Sequence, residues 1–241
     1  MTMEKNMKNS VDNIWQKTND IFHKTKGEVL LSSLVMWVSV GLMMLFPLFG
    51  FSLAFFVMAF SCIGFKKNVL DCLSRKKIKV ENVFMYYKNC LSAFCLKVCS
   101  LLLVGLWSLL FVVPGIIAGV NYAFAPYVFA NNPNLGTIEC LKESKKLIYG
   151  KRLEIFLIYL MEVFFVLITH LIFSCFMIIL KYFVTFPTWV GIVLPIIVAM
   201  IMFFVFIYPY FELLIASFYL DARNEIKQKK SQQSTKKVDI T

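Results

Sequence analysis

Between Leu30 and Phe65 the chain carries no charged side chain. Wound as one helix at ~1.5 Å per residue that stretch would run about 54 Å, against a bilayer hydrocarbon core of roughly 30 Å. It therefore has to turn, and Phe46-Pro47-Leu48-Phe49-Gly50 supplies the Pro and Gly that permit it. Two membrane spans follow, at about 29–46 and about 50–66. Leu91 to Ala130 repeats the pattern, uncharged except for Lys97 and broken by Val113-Pro114-Gly115. It predicts spans at about 93–113 and about 116–131, with Lys97 close enough to an end to snorkel to the interface. Two further apolar runs predict spans at about 154–180 and about 189–211, the last helix continuing to about 222. The expected fold is an all-α membrane protein, six transmembrane helices arranged as three hairpins turning at Pro47, at Pro114 and near Pro187.

Composition agrees with a bilayer rather than a soluble core. Of 241 residues 59% are hydrophobic and 16% charged, where a soluble domain carries roughly 25% charged residues. The net charge of +11 would raise nucleic acid as a partner in a soluble chain. Here the basic residues flank apolar runs, so an anionic membrane leaflet is the expected partner and nucleic acid is not. All but one of the 25 Lys and Arg fall in residues 1–28, 66–97, 132–154 and 221–241, with Lys181 alone elsewhere. With six spans these four segments share one face, and their basic bias marks it as cytoplasmic, both termini included. The expected location is the cell membrane. The other face has only short turns, which excludes a receptor ectodomain.

The polar segments have patterns of their own. Residues 1–28 show no signal-peptide cleavage site, and Ile14, Trp15, Ile21 and Phe22 recur at helical spacing. They predict an amphipathic helix lying on the inner leaflet. Thr137 to Tyr149 predicts an interfacial helix, with Thr137 as N-cap and Gly150 as stop. The Lys/Gln/Ser-rich stretch from 223 to 241 is expected to be disordered.

Chemistry-bearing motifs are sparse. The seven cysteines include no CxxC, the histidines are His23 and His170 alone, and a structural zinc site needs four closely spaced ligands. No metal and no cofactor is expected. HExxH, GxSxG, P-loop and GxGxxG patterns are absent, so no catalytic residue is assigned and no enzyme is expected. Ionisable residues inside spans are functional candidates by default. They are Glu162, His170 and Glu212. Glu162 and Glu212 each lie eight residues inside an inner boundary, or about 12 Å deep at ~1.5 Å per residue. With Asn121, Tyr159 and Tyr208 they form a candidate polar cluster. Two carboxylates there could share a proton or bind a cation; equally, each could hydrogen-bond a neighbour and serve packing alone.

The central region reads Leu106-Trp107-Ser108-Leu109-Leu110-Phe111-Val112-Val113-Pro114-Gly115-Ile116-Ile117, then Tyr122, Ala125-Pro126-Tyr127, Asn132-Pro133, Glu139, Ser144-Lys145 and Gly150-Lys151, and Tyr208-Pro209-Tyr210 follows near the end. It resembles an uncharacterised family of bacterial six-span membrane proteins, the domain of unknown function nine-seven-five. The resemblance runs from about residue 20 to about residue 222. It implies structural roles for Trp107, Pro114, Gly115, Pro126, Tyr127, Pro133, Ser144, Gly150, Pro209 and Tyr210, and an origin in a Gram-positive-type bacterium. Where the family carries a Trp-containing small-residue segment, this chain has Glu162-Val163-Phe164-Phe165. The family supplies no activity. Related domains resemble anchors, accessory subunits or self-protection proteins beside peptide toxins.

Two functions are therefore open. One is a non-catalytic accessory, scaffold or immunity-like protein that binds a membrane protein, a peptide or a lipid. The other is a small proton- or cation-coupled transporter using the intramembrane carboxylates. A cytoplasm-facing cavity containing both carboxylates would favour the transporter, and a solidly packed bundle with an open lateral groove the binding protein.

Overall fold

The computed structural model describes residues 2–43, 49–183 and 188–238. Among these residues there is no strand. Helix α1 spans Thr2–Met43, α2 Gly50–Leu73, α3 Cys90–Leu110, α4 Val112–Asn121, α5 Ala125–Asn131, α6 Thr137–Leu147, α7 Arg152–Phe183, α8 Thr188–Met202 and α9 Tyr208–Val238. A 3-10 segment, Val80–Asn89, precedes α3, and one π turn, Phe203–Ile207, joins α8 to α9. Six stretches are long and apolar enough to cross a membrane: Val11–Met43, Ser52–Leu73, Val80–Leu110, Val112–Asn131, Arg152–Ile179 and Ile196–Lys229. This is an all-α, multi-pass membrane architecture.

The hairpin pairings are α1 with α2, α3 with α4 and α7 with α8. The turns at Pro47 and Pro187 lie outside the described residues. The middle turn is tight. Phe111 is extended (φ −160°, ψ 147°), and Pro114 sits in the first turn of α4, where a missing N–H costs nothing. A Cβ on Gly115 would come 2.1 Å from Ser108 Oγ and 2.8 Å from Ser108 Cα, so α3 and α4 close only over a glycine. The fourth span is two helices: α4 ends at Asn121 and α5 restarts at Ala125 with Pro126 in its first turn.

Contacts gather the four basic segments at one end of the bundle. Thr18 Oγ1 lies 2.7 Å from Ser217 Oγ, Thr25 Oγ1 3.0 Å from Cys72 Sγ, and Tyr86 donates to the Ala130 carbonyl at 2.6 Å. Lys151 pairs with Asp221 and, at 3.0 Å, with Glu225. The largest buried side chains lie here, among them Phe65, Phe124, Tyr127, Phe129, Ile148 and Tyr219. The 3-10 segment passes so close to α2 that a Cβ on Gly64 would come 2.2 Å from the Val83 carbonyl oxygen.

Three expectations need correction. The N-terminal segment does not lie flat as a separate surface helix. It is continuous with the first span in α1, and its apolar stripe packs on α9: the rings of Trp15 and Phe22 lie 6.5 Å and 5.3 Å from that of Tyr210. An amphipathic stripe does not specify its cover, and here a helix competes successfully with lipid. Residues 223–238, expected to be disordered, continue α9; an already-formed helix propagates at little cost per residue once nucleated. For α6 the N-cap is Gly136 rather than Thr137, and the Glu139 carboxylate accepts the Gly136 N–H at 3.2 Å. Gly150, at φ +93°, does end this turn as expected, a left-handed position that favours glycine.

Candidate functional site: a charged cavity at the basic end

The site starts from a misread lysine. Lys66, assigned by sequence to the polar segment after the second span, is still helical because α2 runs on to Leu73. Phe65, Val69, Leu70 and Cys72 are buried around it. Its side chain is 9% exposed and forms an ion pair with Glu212 of α9, also 9% exposed. The Tyr127 hydroxyl donates to the same carboxylate, and the Lys66 ammonium lies 4.5 Å above the Tyr127 ring. Burying one charge alone costs several kcal/mol even after relaxation. Here ammonium, phenol and ring together replace the water that Glu212 and Lys66 give up.

Beside this pair lies a cavity of about 360 Å³. Lys66, Glu212, Glu162, Tyr159, Tyr208 and Lys97 line it, with Trp37, Phe203 and Phe204 among its apolar walls. A second hollow of about 650 Å³ runs between α7 and α8, lined by Val163, Val166, Leu167, His170, Ile196 and Met200. Glu162, Phe203 and Phe204 line both. The π turn forms the shared wall. A wide turn releases a main-chain carbonyl from its usual partner, and Ser33 donates to the Phe204 carbonyl at 2.9 Å. The Trp37 ring covers Phe204 with centroids 3.9 Å apart.

Of the five residues expected to cluster, the fold brings together Tyr159, Glu162, Tyr208 and Glu212. Asn121 stands apart. It is buried at the end of α4, its carbonyl accepts from Ser144 at 2.8 Å, and its side-chain oxygen has no partner. The two carboxylates differ. Glu212 is held by Lys66 and Tyr127; Glu162 is partly exposed and makes neither a hydrogen bond nor an ion pair among the described residues. Sequence reasoning missed Lys66 and gave Tyr127 a structural role only. The available signal was the spacing of Phe65, Val69 and Cys72, which carries the apolar face of α2 past the lysines.

The register of α1 on α9 refines the depth. Thr18 faces Ser217, and Ser33 faces the carbonyl of Phe204. Glu212 therefore lies opposite the stretch of α1 that exposes Lys24, Lys26 and Glu28. The cluster sits where the apolar part of α1 gives way to charge, at the basic edge of the spans.

Of the other residues in the family motif, Pro126 lines the cavity. Tyr127 is fully buried. Trp107 faces outward from α3, 47% exposed. Pro133 lies in the α5–α6 connection, and Pro209 is buried in the first turn of α9 beside Tyr210. In α6, burial with help from Glu139 and Glu143 pushes the Cys140 thiol up to about 11. No group of three or more His, Cys, Asp or Glu among the described residues could hold a metal ion.

Fold and site define a multi-pass helical protein with a charged cavity that adjoins an apolar hollow across Glu162, Phe203 and Phe204. No family model, curated protein or solved structure matches this chain.

Proposed function

We propose that the protein is a non-catalytic multi-pass protein of a Gram-positive-type cell membrane that takes an amphipathic ligand from the bilayer into the cavity at Glu162. The resemblance to the nine-seven-five family belongs to this reading. So does the orientation, with the basic end and both termini in the cytoplasm against an anionic leaflet. One observation carries it: the charged cavity and the apolar hollow share Glu162, Phe203 and Phe204, so a single ligand can place its head in one and its tail in the other. Such pockets combine apolar walls with a few convergent polar groups. An accessory or self-protection role would act through that ligand, whether lipid or peptide.

Gly119 offers the test. It lines the cavity, and a Cβ there meets nothing within 4 Å, so Gly119→Leu fills the space without a clash at its root. Native mass spectrometry of wild type is expected to detect bound lipid or peptide that Gly119→Leu has lost. Equal retention by both would end this reading.

The transporter reading draws on one fact, that Glu162 and Glu212 line the same cavity. Against it, Glu212 is already paired. In proteoliposomes carrying a pH-sensitive dye, a carrier would lose its flux in Glu162→Gln; unchanged flux in both Glu162→Gln and Glu212→Gln would refute it.

A further inference from the structure

Charge bookkeeping around the cavity narrows the ligand. Lys66 and Glu212 neutralise one another. Two charged side chains on the wall are left over, Lys97 of α3 and Glu162 of α7. Neither has an ion-pair or hydrogen-bond partner among the described residues, and they do not pair with each other. A wall with one free cation and one free anion is matched by a ligand that brings one of each. The adjoining hollow is almost wholly apolar, which suits a hydrocarbon tail.

We propose that the cavity binds a zwitterionic phospholipid with a primary ammonium head, of the phosphatidylethanolamine type. This rests on the reading that the cavity takes an amphiphile from the bilayer. The ammonium meets the Glu162 carboxylate and the phosphate meets Lys97. An acyl chain lies in the hollow along Val163, Val166 and Leu167. Three features favour this head over its relatives. A primary ammonium donates hydrogen bonds to a carboxylate and to the Tyr159 and Tyr208 hydroxyls, which a trimethylammonium cannot do. An anionic lipid would satisfy Lys97 but leave Glu162 without a cation and set a net negative charge beside it. A simple alkylamine would satisfy Glu162 and leave Lys97 unpaired, and unpaired groups in a site are what penalise the wrong ligand.

The test uses the full chain in nanodiscs of phosphatidylcholine doped equally with phosphatidylethanolamine and phosphatidylglycerol, with retained lipid read by native mass spectrometry. Wild type is expected to retain phosphatidylethanolamine about tenfold over either competitor, the factor expected for one charge-assisted hydrogen bond. Glu162→Gln should abolish that preference and leave phosphatidylglycerol retention unchanged or higher. Glu162→Asp should restore part of it, and Lys97→Gln should weaken retention of all three lipids, since each carries a phosphate. Because Glu162 has no hydrogen-bond or ion-pair partner among the described residues, its amide variant breaks no such bond. Equal or greater retention of phosphatidylglycerol by wild type, or a preference that survives Glu162→Gln, overturns the zwitterion assignment. If Gly119→Leu still clears bound lipid in that case, the broader cavity reading stands. If Gly119→Leu retains lipid as wild type does, both fall.

Discussion

The two ends of the bundle are built on different terms. At the basic end Phe65, Phe124, Phe129, Leu213, Ile215 and Phe218 are buried by other protein. Beyond the cavity, α3 and α7 leave most side chains uncovered, with Leu109 at 86%, Leu102 at 67% and Leu167 at 61% exposed. The difference teaches where specificity resides. Lipid tails are as apolar as leucine, so apolar helices gain little from leaving lipid for one another. Interlocking begins where polar groups need partners, and the cavity sits at that transition.

The comparison breaks most sharply at the Lys66–Glu212 pair. Removing one partner strands a buried charge, which costs about 3–5 kcal/mol. Lys66→Ala or Glu212→Ala should therefore lower the thermal transition in detergent more than any substitution in the exposed half, while Lys66→Met with Glu212→Leu recovers much of the loss. If the single variants unfold like wild type, the pair holds nothing together and the basic end is not the stable one.

The spans were legible because bilayer thickness and helix rise act on composition alone. The charge-free run from Leu30 to Phe65 could not have been anything but a hairpin. Fates set by a neighbouring element were not legible. Whether the Trp15 and Phe22 stripe meets lipid or protein depends on Tyr210, nearly two hundred residues away. Lys66 read as surface charge because its partner Glu212 is 146 residues away. Glu162, Glu212, Tyr159 and Tyr208 could be grouped by depth along their helices. Asn121 had a similar depth but the wrong azimuth, and depth along a helix says nothing about azimuth.

A smaller effect tests how closely the basic end is packed. Gly64→Ala places a carbon against the Val83 carbonyl, 2.2 Å away before relaxation. A main-chain oxygen cannot rotate aside, so the 3-10 segment must move, at about 1–3 kcal/mol for overpacking. Thermal unfolding measures it, and loss of the Tyr86 bond to Ala130 should accompany it. A neutral outcome would show that the segment rides loosely on α2.

Cys140 gives the same contrast through its thiol. Burial raises its thiol from an ordinary 9.0 to about 11, so the neutral form is the folded form. The stabilisation is complete below pH 9.0 and is lost as pH rises through about 11. A variant keeping Cys140 as its only cysteine should resist maleimide at pH 7 when folded and react promptly in SDS. Prompt reaction while folded would mean that α6 opens from the bundle.

Leu109→Ala should do least. Its side chain is 86% exposed on α3, so truncation trades contact with lipid or detergent for slightly more of the same, within about 0.5 kcal/mol. The corresponding change at Leu213, fully buried in α9, costs about 2–5 kcal/mol. The ratio of the two, in one detergent, measures how far packing at the basic end exceeds packing in the spans. A Leu109→Ala loss approaching that of Leu213→Ala would mean that this flank of α3 is covered in the native membrane protein, and that the sparse half has a protein partner after all.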